Sequence, residues 1–500
     1  MGGAIIQLVA YGVQDLYLTG DPDITFFKVI YRRHTNFAVE SIEQKFSSRP
    51  NFGEKVTCTI GRTGDLIGQM MLHVRLPAVP KFFNEWGEED LNRKFAWTNF
   101  VGYSLIKETT FEIGGKIIDK QYGEWLYIWE ELTTRQDKAS AKLTGNVPQM
   151  YEFSNGKNPY DLFIPLKYYF NRNTGLTLPL VALGSTDVKI TFTFRRIDEC
   201  CRIGPTYSIL IDDPICPFKP GDYIAQTNGP ETIHGYFINF DYLTKRLSYI
   251  KIVSPTACNK EFRTGIPIFN PIEPTEQVRP ILGSTEIYEP TPIPPGLNFV
   301  ATSLFVNYVF LDNAERIKYV RASHEYLIDQ IQYNEALGIQ SPNVGQNLNL
   351  SHPCKSHYWI AQLDSLNGCR TINDKYNFTD SVVRYPDARP FGKDLVKRAS
   401  LILDGNKRFS TRDSIFFNLQ EPYDRHYRGP TQGINMYSFC FNPEEHQPSG
   451  SMNMSKVDYV QMKMKLSTTI NPQNICTIRS YTLSVNILRI FFGLGGIAFT

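Results

Sequence analysis

The chain is long enough for about three domains of roughly 150 residues each and has almost no net charge. Of its 500 residues, 42% are hydrophobic and 20% are charged, which is ordinary globular composition and excludes a disordered or fibrous chain. The 52 Lys and Arg residues against 50 Asp and Glu leave a formal charge of +2. Because proteins that neutralise nucleic-acid phosphates normally have a basic surplus or a basic block, we expect no direct nucleic-acid binding.

Aromatic and turn-forming residues together indicate a strand-rich fold. The chain has 33 Phe, 28 Tyr and 5 Trp, and it has 35 Gly and 31 Pro. Aromatic runs that end at turn formers are typical of strands. The nine cysteines include no C-x-x-C pair, which argues against a zinc ribbon. We expect most thiols to be reduced and buried, as in a protein that folds in the cytoplasm.

The N-terminal stretch is apolar but does not resemble a secretory signal. It has no Lys or Arg before Lys28 and therefore lacks the basic region of such a signal. The longest apolar stretch, residues 490–499, is too short to span a bilayer, so we expect a soluble chain. Residues 1–20 contain more large apolar side chains than a free, solvated tail would carry. We expect this segment either to pack beneath its own barrel or to dock on a neighbour.

Five segments have a clear periodicity. Residues 56–60, 188–195 and 460–467 alternate apolar and polar side chains with a period of two. That alternation predicts half-buried strands of antiparallel sheets. Residues 125–132 have helical spacing, and residues 312–320 begin with a capping box, so both predict helices.

The sequence contains an internal repeat. HTNFAVESIEQ from His34 resembles HEYLIDQIQ from His324, and FEIGGKIIDK with its turn at Gly115 resembles LILDGNKRFS with its turn at Gly405. Both pairs are 290 residues apart. A duplicated β-unit of roughly 180 residues suits an eight-stranded jelly roll. We therefore expect an all-β fold of two tandem eight-stranded antiparallel jelly rolls with short helices. The alternative is two unrelated sandwiches with coincidental similarity.

The first copy carries a long insertion between its last two strands, at about residues 197–298. Eight prolines lie between Pro267 and Pro295, and proline removes a backbone donor, so this part is not a central strand. Residues 207–211 and 236–243 could form short strands. We expect a large ordered loop that projects from one end of the first barrel.

Five blocks of sequence resemble the major capsid proteins of nucleocytoplasmic large DNA viruses. They are GGAIIQLVAYGVQDLYLTGDPDITFFKVIYRRHTNFAVES, GDLIGQMMLHVRLP, FEIGGKIIDKQYGEWLYIWEEL, YVFLDNAERIKYVRASHEYLIDQIQ and the closing LSVNILRIFFGLGGIAF. Only residues 197–298 have no counterpart in the resemblance. The resemblance implies a double jelly roll with the two rolls side by side, and a pseudo-hexagonal capsomer made of three chains. Such capsomers tile an icosahedral shell over an internal lipid membrane.

The resemblance also implies a domain division and a set of partners. We expect an N-terminal segment at 1–24 on the capsid interior side, a first jelly roll at 25–322 that includes the insertion 197–298, and a second at 323–500. The implied partners are the other copies of a homotrimer, neighbouring capsomers, minor capsid and penton proteins, and the internal viral membrane through the N-terminal segment. The implied location is the virion capsid, assembled in the host cytoplasm.

Three short motifs suggest binding chemistry, but each has a simpler interpretation. Residues 493–498 fit a dinucleotide-like G-x-G-x-x-A, yet no helix follows that could hold a pyrophosphate. Gly114-Gly115-Lys116 lacks the rest of a phosphate loop and predicts a tight hairpin turn. His352, Cys354 and His357 could be metal ligands, but a turn at a strand edge is favoured.

The sequence offers no catalytic constellation, and no G-x-S-x-G motif occurs. We therefore predict a structural protein with no catalytic, cofactor-binding or metal-binding residues. Two alternatives stay open, because a fold does not determine a function. One is a carbohydrate-binding β-sandwich surface protein, and the other is a hydrolase or cupin-like enzyme on the same fold.

Overall fold

The structure is a computed structural model that describes residues 3–90, 92–134, 140–229, 231–252, 260–367, 373–385 and 389–499. The helices in these ranges are short: α1 (Gly3–Val9), α2 (Val13–Thr19), α3 (Val101–Leu105), α4 (Gly123–Thr133), α5 (Ser140–Thr144), α6 (Pro148–Tyr151), α7 (Tyr169–Arg172), α8 (Asn313–Arg321) and α9 (Glu421–Arg425). Both predicted helices are present. In α8, the Asp312 side chain accepts a hydrogen bond of 2.8 Å from the Glu315 amide, as the capping box predicts.

Strands make up most of the remaining structure. Those before the insertion are β1 (Phe37–Gln44), β2 (Lys55–Thr59), β3 (Leu66–Leu76), β4 (Lys94–Trp97), β5 (Ile106–Ile113), β6 (Lys116–Tyr122), β7 (Tyr160–Pro165), β8 (Leu178–Pro179) and β9 (Val188–Phe194). Those within it are β10 (Cys201–Gly204), β11 (Tyr207–Leu210), β12 (Tyr223–Asn228), β13 (Glu231–Asp241), β14 (Arg246–Ile252), β15 (Ile268–Phe269), β16 (Gln277–Val278) and β17 (Ile287–Tyr288). Those after it are β18 (Ala301–Leu311), β19 (His324–Ile339), β20 (Asn343–Asn347), β21 (Pro353–Leu363), β22 (Val396–Leu403), β23 (Asn406–Lys407), β24 (Arg412–Asp413), β25 (Asn435–Ser438), β26 (Met452–Asn453), β27 (Val460–Leu466), β28 (Cys476–Phe491) and β29 (Leu494–Ile497).

The same strand order occurs twice. In the first half the two main sheets have the orders β1-β18-β3-β7 and β2-β9-β5-β6. In the second half the orders are β19-β28-β21-β25 and β20-β27-β22-β23, which is the same arrangement when the strands are matched along the chain. The paired strands are antiparallel. The prediction of two tandem eight-stranded jelly rolls is therefore confirmed.

The repeat extends to the hairpins that join equivalent strands. Gly114-Gly115 joins β5 to β6, and Asp404-Gly405 joins β22 to β23. All four turn residues have positive φ, at 58°, 78°, 46° and 82° respectively. Two-residue hairpin turns favour Gly-Gly and Asp-Gly because both central residues need positive φ. The hairpin prediction for Gly114-Gly115 is confirmed.

Strand β27 shows how alternation builds each roll. Met462 and Met464 are buried, whereas Lys463 and Lys465 on the opposite face are exposed. Burial of the apolar face removes that surface from water, and each fully buried side chain of this size contributes about 1.5–3 kcal/mol. The two segments predicted at 56–60 and 188–195 form β2 and β9 in the same way.

The insertion is more regular than the predicted loop. It forms a seven-stranded sheet of order β16-β15-β12-β13-β14-β11-β17. This sheet has its own buried core, which includes Ile209, Phe237, Phe240, Leu247 and Tyr249. The proline-rich part contributes only the two-residue strands β15, β16 and β17, since proline cannot donate to a ladder. The predicted short strands at 207–211 and 236–243 correspond to β11 and to part of β13, whereas the description of the rest as a loop was wrong, because these strands belong to one sheet.

The two rolls point the same way. Ala301, at the start of β18, pairs with Arg75 near the end of β3, so the insertion leaves the first roll at that end. We call this the insertion end. Ile238 and Ile252 of the insertion share a core with Leu363, the last residue of β21, so the equivalent end of the second roll lies there too. The β5–β6 hairpin and the start of β1 lie at the opposite end, which we call the hairpin end.

Helix α4 is buried at the junction of the rolls. The Trp125 ring lies 5.3 Å from the Tyr358 ring and 5.8 Å from the Tyr481 ring of the second roll, measured between centroids. Tyr122 stacks on Tyr333 at 4.3 Å. Such aromatic pairs add about 0.5–1.5 kcal/mol each beyond the area they bury. One continuous core therefore joins the rolls.

A buried ion pair of the first roll lies beside the same junction. Glu124 of α4 pairs with Arg195, which also donates to the carbonyls of Ser104 and Ile106 at 2.9 and 3.0 Å. Burial raises the pKa of Glu124, but Arg195 and then Arg479 of the second roll outweigh it and hold that pKa below its usual value. Charges at this depth are tolerated because they are paired and hydrogen-bonded.

Asp119 makes a polar contact between the rolls. Its Oδ1 accepts from the Ile331 amide of β19 at 3.0 Å, and its Oδ2 accepts from Gln121 Nε2 at 2.8 Å. Burial raises the pKa of Asp119 to about 6, although these hydrogen bonds oppose the rise. The carboxyl therefore titrates in a mildly acidic range while it holds β6 against β19.

The C-terminal hairpin fastens the second roll to the first. β29 turns back along β28, and the Gly493 carbonyl accepts hydrogen bonds from the Ser185 amide at 3.1 Å and from Thr186 Oγ1 at 3.2 Å. Gly495 lies directly against Leu183 and Ile113 of the first roll. The G-x-G-x-x-A segment is thus a close-packed strand.

Substitution of Gly495 tests this contact. A Cβ at Gly495 would lie 2.8 Å from Leu183 Cδ2 and 3.0 Å from Ile113 Cγ2, whereas nothing lies within 4 Å of a Cβ at Gly496. We expect Gly495→Val to lower the free energy of unfolding by about 1–3 kcal/mol through overpacking, and Gly496→Val to change it by less than about 0.5 kcal/mol. Thermal unfolding of both variants measures this, and equal effects would contradict the docking described.

The Asp119 carboxyl makes a pH-dependent contribution to stability. Its folded pKa is about 6 and its reference pKa is 3.8, so the native state binds the proton more tightly between these values. Its contribution is full below pH 3.8 and is lost as the pH rises through 6. We expect the stability difference, wild type minus Asp119→Asn, to fall between pH 4 and 7 by on the order of 2–3 kcal/mol. Urea unfolding measures it, with the exposed Asp21→Asn as control, and a pH-independent difference contradicts the expectation.

Candidate assembly surfaces

The N-terminal residues 3–36, here called the arm, leave their apolar side chains uncovered. Large apolar side chains that are exposed there include Ile5, Ile6, Leu8, Val9, Val13, Leu16, Leu18, Ile24, Phe26, Phe27, Val29 and Ile30. Leu8 is 81% exposed and Phe27 is 97% exposed. An isolated soluble chain rarely exposes so much contiguous apolar surface, and such surfaces mark interaction sites. In the single chain the arm therefore does not pack beneath its own barrel.

Local hydrogen bonds give the arm its shape. In α2, Asp15 Oδ2 accepts from the Gly12 amide at 2.8 Å, and the Gly20 amide donates to the Leu16 carbonyl at 2.9 Å and ends the helix. Residues 20–36 then run to β1 without helix or strand. A stretch of this length can span up to about 55 Å when extended, which is enough to reach a neighbouring subunit.

The body also exposes apolar side chains at the hairpin end, and we call them the base patch. They are Ile117 of the β5–β6 hairpin, Ile317 and Val320 of α8, and Phe492 and Leu494 of the C-terminal hairpin. Phe492 is 95% exposed. The arm starts from this same end, so both apolar surfaces lie on one side of the molecule.

A third apolar surface, the side patch, lies on the second roll between β24 and β25. Ile415, Leu419 and Tyr423 follow one another at four-residue spacing on a helical segment, and Tyr427 and Phe441 continue the patch. Their exposed fractions run from 58% to 85%. The spacing alone could have predicted this surface, because it places the three side chains on one helix face.

His352, Cys354 and His357 were candidate metal ligands for which a turn at a strand edge was favoured, and His352 lies in a bend directly before β21. His357 is buried, its Nδ1 lies 2.7 Å from Thr482 Oγ1, and burial lowers its pKa to about 3. Burial also raises the pKa of the Cys354 thiol to about 12. Within the ranges that the structure describes, no three His, Cys, Asp or Glu side chains are grouped closely enough to hold a metal ion.

The structure also gives the state of the thiols and the character of the helices. The cysteines in the described ranges are free and buried, as expected: Cys58, Cys200, Cys201, Cys216, Cys354, Cys440 and Cys476. Cys258 and Cys369 lie outside those ranges. Among the described residues, no helix has both the length and the apolar character needed to cross a bilayer.

Comparisons with known proteins agree with the duplicated fold. A family profile described as "Major capsid protein N-terminus" matches residues 25–217, and one described as "Large eukaryotic DNA virus major capsid protein" matches residues 315–496. The chain is similar to the probable capsid protein 4 of Acanthamoeba polyphaga mimivirus, with 51% identity over 510 residues that cover 100% of this chain and 99% of that one.

A second relative and a solved structure extend the comparison. The major capsid protein of Phaeocystis pouchetii virus is 32% identical over 604 residues, with 100% of both chains covered. A chain of a quasi-atomic model of the PBCV-1 virus capsid has the same fold, with a TM-score of 0.62, 23% identity, and coverage of 95% of this chain and 100% of that one. The two family matches and the identity over full length lead to one conclusion: the chain belongs to the family of large eukaryotic DNA virus major capsid proteins.

Proposed function

We propose that this chain is a structural, non-enzymatic shell subunit that assembles as a pseudo-hexagonal homotrimeric capsomer and tiles the icosahedral shell of a large DNA virus. The observation that carries the proposal is the repeated strand order of two rolls that point the same way. Three copies of such a chain present six similar walls around a threefold axis. A closed trimer can therefore fill a position with six neighbours.

The proposed domain division follows the repeat. The first jelly roll comprises residues 25–322 and includes the insertion 197–298, and the second comprises residues 323–500. The strand order begins again at β19, whose first residue is His324, and the two family matches lie on either side of the insertion sheet's later strands. This division places α8, which leads from β18 to β19, at the end of the first roll.

The proposed orientation puts the N-terminal segment 1–24 on the inside of the shell and the insertion on the outside. The arm and the insertion leave the rolls at opposite ends, which supports this orientation. On the inner side the arm and the base patch would meet minor capsid and penton proteins or the surface of the internal membrane. Nucleic acid is not a direct partner in this proposal, and the protein reaches the virion after assembly in the host cytoplasm.

The trimer is tested by its mass in solution. We expect size-exclusion chromatography with light scattering to give three times the chain mass of 57.3 kDa. An obligate contact between rigid β-walls buries more than roughly 2,000 Å², so the trimer should persist on dilution. A chain that stays monomeric at every concentration would contradict the proposal.

The arm is tested by charge substitution in matched pairs. Leu8→Asp with Leu18→Asp places two charges among exposed apolar side chains, and Gln7→Asp with Gln14→Asp places them on exposed polar positions of the same helices. We expect the trimer mass to be unchanged in both. Shell formation should fall about tenfold or more in the leucine variant only, because two Leu side chains that become buried in the assembled shell are replaced by charged ones. The number of assembled particles measures shell formation. A normal particle yield from the leucine variant would contradict an inter-subunit role of the arm.

A further inference from the structure

A half-open cavity of about 330 Å³ lies at the insertion end, where the first roll, the insertion and the second roll meet. Its lining includes Lys94, Phe153, Arg202, Tyr223, Tyr236 and Tyr385. The volume is at the small end of the range of roughly 300–1,000 Å³ that is typical of small-molecule sites. No step of the proposed assembly uses this cavity.

Arg202 brings a buried charge to the cavity wall without a carboxylate partner. It is 7% exposed, and its NH2 group donates to the carbonyls of Trp97, at 3.3 Å, and Tyr151. Its Nε has no hydrogen-bond partner, and the guanidinium takes part in none of the ion pairs formed among the described residues. Buried charges are normally paired, so this site is electrostatically incomplete as it stands.

Two lysines add to the positive potential. The Lys94 ammonium has no hydrogen-bond or ion-pair partner among the described residues, and burial lowers its pKa. Lys157, beside the cavity, donates only to the carbonyls of Gln149 and Glu152, at 2.8 and 2.5 Å. Burial, and then the charge of Arg202, lower the pKa of Lys157 to about 8. The shift at Lys157 thus reflects burial and a neighbouring positive charge, whereas the shift at Lys94 is due to burial alone.

The lining also holds two carboxylates, Asp222 and Glu152, but neither forms an ion pair with Arg202 or Lys94. Asp222 Oδ2 accepts from the Lys219 amide at 2.7 Å, and the Glu152 side chain belongs to an exposed residue. The third cation of the wall, Arg384, already pairs with Asp374 in a two-bond contact. Arg202 and Lys94 are therefore the cations of the wall that have no anionic partner among the described residues.

Aromatic rings form another part of the wall, beside Arg202. Phe153 lies 4.9 Å from Tyr236, and Tyr236 lies 5.4 Å from Tyr223, between ring centroids. The guanidinium of Arg202 sits 5.3 Å from the Phe153 centroid. Tyrosine offers both an apolar ring face and a hydroxyl, which suits a ligand with a C–H face and several hydroxyl groups.

We propose that this cavity binds an acidic sugar, a pyranose that carries a carboxylate. The carboxylate pairs with Arg202 and Lys94, and the ring packs against Phe153 and Tyr236. A free inorganic anion would leave the aromatic wall unused, and a neutral sugar would leave the cations unpaired. Binding goes beyond the proposed shell function and does not depend on it; only the position of the site on the outer surface of a particle rests on that function.

The test uses the purified full-length protein with glucuronic acid, glucose and sulfate as probes, followed by calorimetry or saturation-transfer NMR. We expect saturable glucuronate binding that is about tenfold or more tighter than glucose binding, because the charge-assisted contacts are absent for glucose. Lys94→Gln should weaken glucuronate binding about five- to tenfold, whereas the exposed Lys245→Gln in the insertion should leave it unchanged. Thermal unfolding confirms that both variants are folded.

Three results would overturn the proposal. They are no saturable binding of glucuronate at millimolar concentrations, equal binding of glucose and glucuronate, and sulfate binding as tight as glucuronate binding, which would define a simple anion site. The trimer mass is measured on the same samples, so a failure of the sugar site is distinguishable from a failure of the assembly proposal.

Discussion

The burial of helix α4 and strand β6 against the second roll is the contact on which the rest of the structure depends. Two jelly rolls joined by a single covalent link would otherwise be free to rotate. Here aromatic packing around Trp125 and Tyr481 and the hydrogen bond between Asp119 and the Ile331 amide of β19 fix one orientation. Because these groups are buried, a rotation of the rolls would expose apolar rings and break a buried hydrogen bond, so the junction favours a single arrangement.

A fixed orientation gives each end of the chain a distinct character. The hairpin end collects the arm, the base patch and the C-terminal hairpin, and its exposed surface is strongly apolar. The insertion end carries a sheet with its own core and a cavity rich in cations and aromatic rings. Apolar surface suits contacts that form once and persist, whereas a half-open polar cavity suits an exchangeable ligand.

Local chemistry explains which parts of the fold could be predicted. The turn at Gly115 and its repeat at Gly405 were visible because a two-residue hairpin needs residues that tolerate positive φ. Strand β27 could be predicted because one of its faces is buried and the other meets water, so apolar and polar residues alternate. Two strands of the insertion, at 207–211 and 236–243, could be predicted, but the sheet that they join could not. Strand β14 is buried along nearly its whole length, so alternation is weak, and β11 and β15 pair with strands that are distant in the sequence. The cavity could not be predicted, since its lining comes from at least seven separate segments that only the folded chain brings together.

Imaging of the purified protein by negative-stain electron microscopy tests the central claim most directly, because the claim concerns shape as well as mass. The locked pair of rolls predicts threefold-symmetric particles with a hexagonal outline, in which the six edges are nearly equal in length. Particles in which the two rolls occupy variable relative positions, or trimers with a plainly triangular outline, would contradict it.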